Sequence, residues 1–338
     1  MNKLRIAIPS SGALYEDTQI FLDRCGLKVI RTNSRRYTAK IPTLPTVEVL
    51  FQRQSDITGK VEEGSADIGV VGLDRYYESR LENGDSRMVV KGIGFGKARL
   101  LIAVPDSWFD VTNVSDLADL SLEYHQKGKS LRIATKYTRL VKRFLSGKGL
   151  NYFSLIPASG GIEAAPLMGY ADLIADISAT GITLRENQLR PLVDGTIIQS
   201  EASLIANVRL LASTPEKLSL TREFLERVEA STRARDYVRV SANMLADSQE
   251  DAAALVLKKP ELSGIDGPSV SHVFGDKPGK WFNIQVVVPS ENLLEAVDFL
   301  RQLGGTSITV NDASYVFRNK CKTYEELLAS IKEFQAVN

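Results

Sequence analysis

Short apolar runs alternate along this chain with segments whose apolar residues recur at helical spacing. Leu4 to Ile8 reads as a strand, Pro9-Ser10-Ser11-Gly12 as a turn, and Leu14 to Cys25 as an amphipathic helix stopped at Gly26. Val47 to Gln52 is a second strand, and Ile57 to Glu63 a helix ended by Gly64. Asp67 to Gly72 is a buried strand backed by a helix over Asp74 to Glu82, and Arg99 to Val104 is another strand. Strands alternating with helices predict a largely parallel sheet covered on both faces.

The pattern then restarts. Leu131 to Thr135 is a strand, Thr138 to Ser146 a helix and Tyr152 to Pro157 a strand. The turn Ala158-Ser159-Gly160-Gly161 opens a helix through Met168, and Leu173 to Ile177 is the next strand. Thr196 to Ala206 is strand-like and returns the chain to the first unit, so the second is inserted into the first. Two α/β units with a crevice between them place ligand at the carboxyl ends of their strands. Glu216 to Ala234 is a long amphipathic helix. After it come strand 237–240, helix 249–258, strands 269–274 and 281–288, helix 290–303 and strand 306–310. That order is the split βαβ of a ferredoxin-like domain. A last helix covers Tyr324 to Phe334, and no tandem repeat stands out. The expected division is residues 1–101 with 196–214, an inserted 102–195, a connecting helix 215–235, and a C-terminal 236–338.

Composition narrows the class. Of 338 residues, 43% are hydrophobic and 25% charged, which suits a globular α/β protein of more than one domain. A formal net charge of +1 supplies no general field for nucleic acid or anionic membranes, leaving local clusters such as Arg35-Arg36 and Lys142-Arg143 as anion sites. Two cysteines, Cys25 and Cys321, build neither a disulfide framework nor a thiolate metal site. The N-terminus reads as a first strand rather than a signal peptide, and no apolar run reaches membrane-span length, so a cytoplasmic protein is expected.

The chemistry concentrates between Glu163 and Leu184. Asp172 and Asp176 bracket Leu173-Ile174-Ala175, and Ser178-Ala179-Thr180-Gly181-Ile182-Thr183 follows. A strand that ends on a carboxylate and turns through Thr and Gly into a helix converges N–H groups and hydroxyls on an anion. Gly181 permits φ > 0 and close approach of a phosphate. A preceding carboxylate suits ribose hydroxyls or a phosphate-bound Mg²⁺. Sugar phosphate is the ligand class these residues suggest. As bare residues, Thr180 to Thr183 also fit an ordinary helix-capping turn, Glu163 an acid offsetting a helix dipole, and Asp172 a loop brace.

The whole span resembles the signature of the ATP phosphoribosyltransferase family, at Glu163, Gly169, Asp172, Asp176, Thr180, Gly181, Thr183 and Leu184. Arg53 to Ile57, Gly64, Ala66 to Asp74, Arg132 to Tyr137, Lys142 to Phe144 and Ser203 to Asn207 extend the resemblance. It implies an α/β fold with a two-lobed, type II periplasmic-binding-protein-like catalytic unit and a C-terminal ferredoxin-like (ACT-like) domain. It further implies transfer of the phosphoribosyl group of phosphoribosyl pyrophosphate (PRPP) to N1 of ATP with Mg²⁺, the opening step of histidine biosynthesis. Histidine would inhibit through residues 236–310, and the chain would assemble as dimers and hexamers.

On this reading Glu163 and Asp176 are catalytic and hold Mg²⁺, directly or through phosphates or water. Asp172, Asp176, Ser178, Ala179, Thr180, Gly181, Ile182 and Thr183 bind PRPP. Ser11, Gly12, Arg53, Gly72, Asp74, Arg99, Lys136 and Tyr137 face ATP. The adenine N1 lone pair needs no deprotonation, so no Ser, Cys or His nucleophile is required, and His125 and His272 read as surface or partly buried imidazoles. The first turn departs from the family, with Ser10-Ser11-Gly12-Ala13 where Lys-Gly-Arg is usual, and Gly161 stands where Ser is more common. Two other readings remain open here. One is a prephenate-dehydratase-like enzyme with an amino-acid sensor, and the other is a non-enzymatic two-lobed binding module.

Overall fold

β1 (Leu4–Pro9) leads into α1 (Tyr15–Arg24), β2 (Thr38–Ile41), β3 (Leu44–Gln52), α2 (Gln54–Glu62), β4 (Ile68–Gly72), α3 (Leu73–Ser79) and β5 (Ser86–Val90). This is a computed structural model, and it describes residues 3–33, 35–158, 160–275 and 278–337. Ser159, in the expected turn before the signature, lies outside the described residues. All five residues of β4 are buried, as an unbroken Ile-Gly-Val-Val-Gly run in a covered sheet requires. β2 carries no distinct strand pattern in the sequence, being short and half polar, with Thr38 and Lys40 facing out.

The chain then enters a second sheet through β6 (Ala98–Pro105), α4 (Val114–Gln126), β7 (Leu131–Thr135), α5 (Thr138–Gly147) and β8 (Phe153–Pro157). β9 (Leu173–Ser178), α6 (Ile182–Glu186) and β10 (Leu189–Ser200) complete it, and β11 (Ala202–Asn207) returns to the first sheet. The strand orders are β2-β3-β1-β4-β11-β5 and β10-β6-β9-β7-β8. This is the two-lobed, periplasmic-binding-protein-like arrangement. Each sheet is only partly parallel: β1 pairs parallel with β3 and β4, and β7 with β8 and β9 at one side of the second sheet. β10 on β6, β6 on β9, and β11 on β4 and β5 are antiparallel, because one strand carries the chain across and another brings it back.

That double crossing corrects the expected boundaries at 101/102 and 195/196. β6 and β10 pair from Ala98 with Ser200 to Pro105 with Leu189, so both belong whole to the second lobe. The return falls at Glu201, between β10 and β11. The helix expected from Gly161 to Met168 is a single 3-10 turn over Ile162–Ala164. Pro166 lacks an N–H and Gly169 sits at φ +76°, so the segment cannot continue as a helix.

The two lobes share a device that the sequence hides. Leu4-Arg5-Ile6-Ala7 recurs as Leu131-Arg132-Ile133-Ala134, and Gly64-Ser65-Ala66-Asp67 as Gly169-Tyr170-Ala171-Asp172. The Arg5 N–H donates to Asp67 Oδ2 at 2.7 Å, and the Arg132 N–H to Asp172 Oδ2 at 2.7 Å. Arg5 Nη2 donates to the Gly64 carbonyl at 2.8 Å, and Arg132 Nη1 to that of Gly169 at 2.9 Å. Ile6 pairs with Ile68 and Ile133 with Leu173, the same register relative to each aspartate. A repeat is present, but arginine and aspartate stand 62 residues apart in one lobe and 40 in the other.

After α7 (Val208–Ser213) and α8 (Pro215–Ala234) comes β12 (Tyr237–Leu245), α9 (Gln249–Val256), β13 (Ser269–Val273), β14 (Trp281–Pro289), α10 (Leu293–Gln302) and β15 (Thr306–Asp312). These strands form an antiparallel sheet in the order β13-β14-β12-β15, the ferredoxin-like topology. Val240, Ala242, Phe282, Ile284 and Val286 pack beneath α9 and α10 residues such as Val256 and Leu300. α11 (Lys322–Val337) closes the chain.

Contacts divide the molecule into two units. One comprises residues up to Phe21, Val29–Leu220 and the chain from Leu327, and the other Leu22–Lys28 with Thr221–Glu326. The expected boundaries at 215 and 236 shift accordingly. α8 is divided after Leu220, and Lys217 near its start pairs at 2.7 Å with the buried Asp67 of the first unit. The C-terminal extension, expected wholly with the last domain, gives its final turns to the first unit.

Candidate functional site

The second lobe collects its chemistry where β7, β8 and β9 end. Asp176 lies near the end of β9 and is 8% exposed. Lys136, just past β7, holds Asp176 Oδ1 at 3.0 Å, and the Ile177 N–H donates to the same oxygen at 2.7 Å. Burial pushes the Asp176 carboxyl above the ordinary carboxylate range; the Lys136 ammonium opposes the shift and the Glu163 charge adds to it. Glu163, from the 3-10 turn after β8, is thus brought within electrostatic reach of Asp176. Its side chain has no hydrogen bond or ion pair among the described residues.

The loop from Ser178 to Thr183 follows directly. The Gly181 N–H donates to Ser178 Oγ at 3.0 Å, and the Ile182 N–H to Thr180 Oγ1 at 3.4 Å, which tightens the turn. Gly181 has φ +76°, and a Cβ there would meet nothing within 4 Å, so conformation rather than crowding calls for glycine. Buried Leu184 anchors α6 in the core beneath, while Ala179, Thr180, Ile182 and Thr183 remain exposed. The result is an open cradle of hydroxyls and backbone beside a buried carboxylate. Arg99, expected on the ATP side, stands opposite Ser178 in the β6–β9 ladder and belongs with this loop.

Asp172 does not join them. It precedes β9, whereas the cradle follows that strand. Its carboxylate is taken by Arg132, Oδ1 at 2.8 Å from Nη2 and Oδ2 at 3.3 Å from Nε, in addition to the backbone N–H. Its counterpart Asp67 does the same work in the first lobe, so Asp172 is a brace.

In the first lobe the carboxyl ends of β1 and β3 lie side by side, where the Ser10 N–H donates to the Gln52 carbonyl at 2.8 Å. That contact brings the exposed Ser11 and Gly12 turn next to the exposed Arg53 that opens α2. Gly72, Asp74 and Tyr137, also expected to face ATP, are buried instead in a clasp between the lobes. The Tyr137 hydroxyl donates to Asp74 Oδ2 at 2.6 Å, and the Ser200 hydroxyl to Asp74 Oδ1 at 2.5 Å. Asp74 is 6% and Tyr137 1% exposed. Burial, with the Asp74 charge beside it, drives the Tyr137 phenol far above its ordinary range, so it stays a donor. A Cβ on Gly72 would come 2.5 Å from Asp74 Oδ1, and glycine is what lets the carboxylate fold back.

Two members of the clasp escaped the sequence reading. Ser200 is a hydroxyl inside a strand-like run, with no signal of its own. Glu78 accepts from the N–H groups of Arg139 and Leu140 at 3.0 Å each, and so caps α5 of the other lobe. α5 has no side-chain cap of its own at Tyr137, and that lack is the one available signal.

Among the described residues no group of three or more His, Cys, Asp or Glu side chains is placed to hold a metal. Asp176 and Glu163 alone suit Mg²⁺ that brings most of its ligands as phosphate oxygens and water. His125 stacks on Tyr152 with ring centres 4.0 Å apart, His272 lies on β13, and both cysteines are buried. No helix among the described residues is long and apolar enough to cross a membrane.

Comparison with known proteins places most of the chain in one family. The family model described as HisG, ATP phosphoribosyltransferase, matches residues 53–230, and that of the HisG C-terminal domain matches 234–314. The chain is 36% identical over 335 residues to ATP phosphoribosyltransferase 1, chloroplastic, of Arabidopsis thaliana, covering 98% of this chain and 81% of the relative. It is 32% identical over 330 residues to an ATP phosphoribosyltransferase of Bradyrhizobium diazoefficiens, covering 97% of this chain and 98% of the relative. A solved ATP phosphoribosyl transferase (HisG:HisZ) complex from Thermotoga maritima contains a similar chain. It shows 26% identity and a TM-score of 0.51, covering 67% of this chain and 96% of that one.

Proposed function

The chain belongs to the ATP phosphoribosyltransferase family, which opens histidine biosynthesis, and from that premise we propose that the cleft between its two lobes carries out the transfer. The observation that carries this reading is the Ser178–Thr183 cradle, open to solvent and set beside the buried Asp176. The cradle binds the 5′-phosphate of PRPP, with Arg99 alongside. Asp176, held by Lys136, receives the ribose hydroxyls and fixes C1 toward the opposite lobe. Ser11, Gly12 and Arg53 meet ATP across the cleft, with Arg53 supplying cationic charge at a rim whose first turn has none.

The reaction asks the protein mainly to align two polyanions, since adenine N1 attacks C1 with a lone pair already free. Bound Mg²⁺ would neutralise the departing pyrophosphate, with Glu163 and Asp176 as its protein contacts. The clasp of Asp74, Tyr137 and Ser200 fixes the relation between the lobes on which that alignment depends. The ferredoxin-like domain acts as the histidine sensor and assembly module.

Mixing the purified protein with ATP, PRPP and Mg²⁺ should produce the absorbance of an N1-alkylated adenine together with pyrophosphate. A prephenate-dehydratase-like enzyme or a non-enzymatic binding module would yield neither product.

A further inference from the structure

A charged surface remains that the cleft does not use. A cavity of about 510 Å³ opens between α3, α5 and β10. Tyr77 and Arg80 line it from the first lobe, and Arg139, Arg143, Phe144 and Lys148 from the second. Four cations thus gather in one pocket of a chain whose formal net charge is +1. Glu82 lies 3.4 Å from Arg139 but is 81% exposed, and Glu78 is committed to the N–H groups of α5. Arg80, Arg143 and Lys148 have no ion pair among the described residues. A polyanion bound there would relieve their mutual repulsion.

The rest of the wall is apolar and partly flat. Ile197 and Ile198 form a floor continuous with the core of the second lobe. The Arg80 guanidinium sits 5.3 Å from the Tyr77 ring centre, and the Lys148 ammonium 6.0 Å from that of Phe144. Each ring therefore has a cation beside it. A heterocycle resting on the rings would carry its phosphates toward Arg143 and Lys148, and guanidinium suits phosphate oxygens in pairs. The volume falls within the range of small-molecule sites. None of these residues belongs to the cradle, the Asp176 group or the first-lobe rim.

We propose that this cavity is a second nucleotide site, separate from the catalytic cleft, that takes a nucleoside triphosphate and bridges the two lobes. Because α3 and α5 belong to different lobes, an occupant touching both favours the lobe arrangement in which both walls reach it.

GTP is a suitable probe, since its base carries hydrogen at N1 and cannot act as the nucleophile of the transfer. Calorimetric titration at low salt should show GTP binding to the full-length protein. The affinity should fall at least about tenfold, one lost charge-assisted contact, in the Arg143→Glu/Lys148→Glu variant. It should remain unchanged in Arg53→Ala, which alters the cleft rim. The KM values for ATP and PRPP in the charge-reversed variant should match wild type, which keeps this test independent of the cleft assignment. Should charge reversal impair folding, Arg143→Gln/Lys148→Gln makes the same comparison with smaller perturbation. No GTP binding to wild type, equal affinity in the double variants, or loss of binding in Arg53→Ala instead would overturn the proposal.

Discussion

Two aspartates in one short signature serve different ends. Asp172 accepts from the Arg132 backbone and side chain at the foot of β9, repeating what Asp67 does for Arg5 in the first lobe. Asp172→Ala should lower stability by about 1–3 kcal/mol by stranding a backbone N–H and an arginine, with kcat/KM little changed. Asp67→Ala should cost more, about 3–5 kcal/mol, because it also removes a 2.7 Å ion pair to Lys217 at a buried site. Thermal denaturation checks the ranking, and a collapse of kcat/KM in Asp172→Ala at unchanged Tm would return that residue to the substrate. Asp176 differs because burial raises its carboxyl, so ionisation is the costly state in the folded chain. That penalty is absent below the unfolded pKa, grows as pH rises through the raised value, and is complete above it. Asp176→Asn should therefore melt no lower than wild type at neutral pH, with Lys136 turning to solvent. It should lose about ten- to a hundredfold in kcat/KM, roughly one charge-assisted contact. A lower Tm with full activity would mark it as structural.

At the scale of elements, the cradle was readable from its residues and the clasp was not. Ser178, Thr180 and Gly181 are local: a strand end, a hydroxyl, and a backbone at positive φ that needs glycine. Gly181→Val meets no steric wall but strains the turn, and should raise the apparent KM for PRPP far more than that for ATP. Steady-state kinetics with each substrate varied in turn checks it. The clasp joins Asp74, Tyr137 and Ser200, which lie 63 and 126 residues apart in the sequence. Nothing in the local pattern announces such pairings, and residues at strand ends read naturally as ligand contacts. Tyr137→Phe removes one of two donors to a buried carboxylate and should cost about 1–3 kcal/mol in stability. The KM for ATP should stay near wild type, whereas a marked rise without loss of Tm would put Tyr137 in the nucleotide site.

For the whole molecule, the four strands of the ferredoxin-like sheet were expected in their order, although β12 runs past the expected 237–240 to Leu245 and carries Ala242 and Met244 into the core. The prediction at this scale is regulatory. Histidine should lower the rate of N1-alkylated adenine formation and shift the sedimentation of the full-length chain toward one assembly, as coupling between separate sites requires. Parallel measurements of rate and sedimentation across a histidine titration check it. Undiminished rates with unchanged sedimentation would remove histidine from this account.

Neighbouring residues, whose conformational preferences are intrinsic, carry the family, most of the strands and helices, and the Gly181 turn, but not β2 or the 3-10 turn over Ile162–Ala164. Tertiary structure alone decided the rest. The crossings at β6 and at Glu201 depend on an inter-strand ladder rather than on composition. Arg99 joined the Ser178–Thr183 loop because its partner across the sheet is Ser178. Asp172 became a brace because Arg132 reaches it first. Gly72, Asp74 and Tyr137 were withdrawn from the cleft because two lobes close over them. In each case the deciding term is the burial or pairing of a polar group by residues far away in the chain, and that term exists only once the chain has folded.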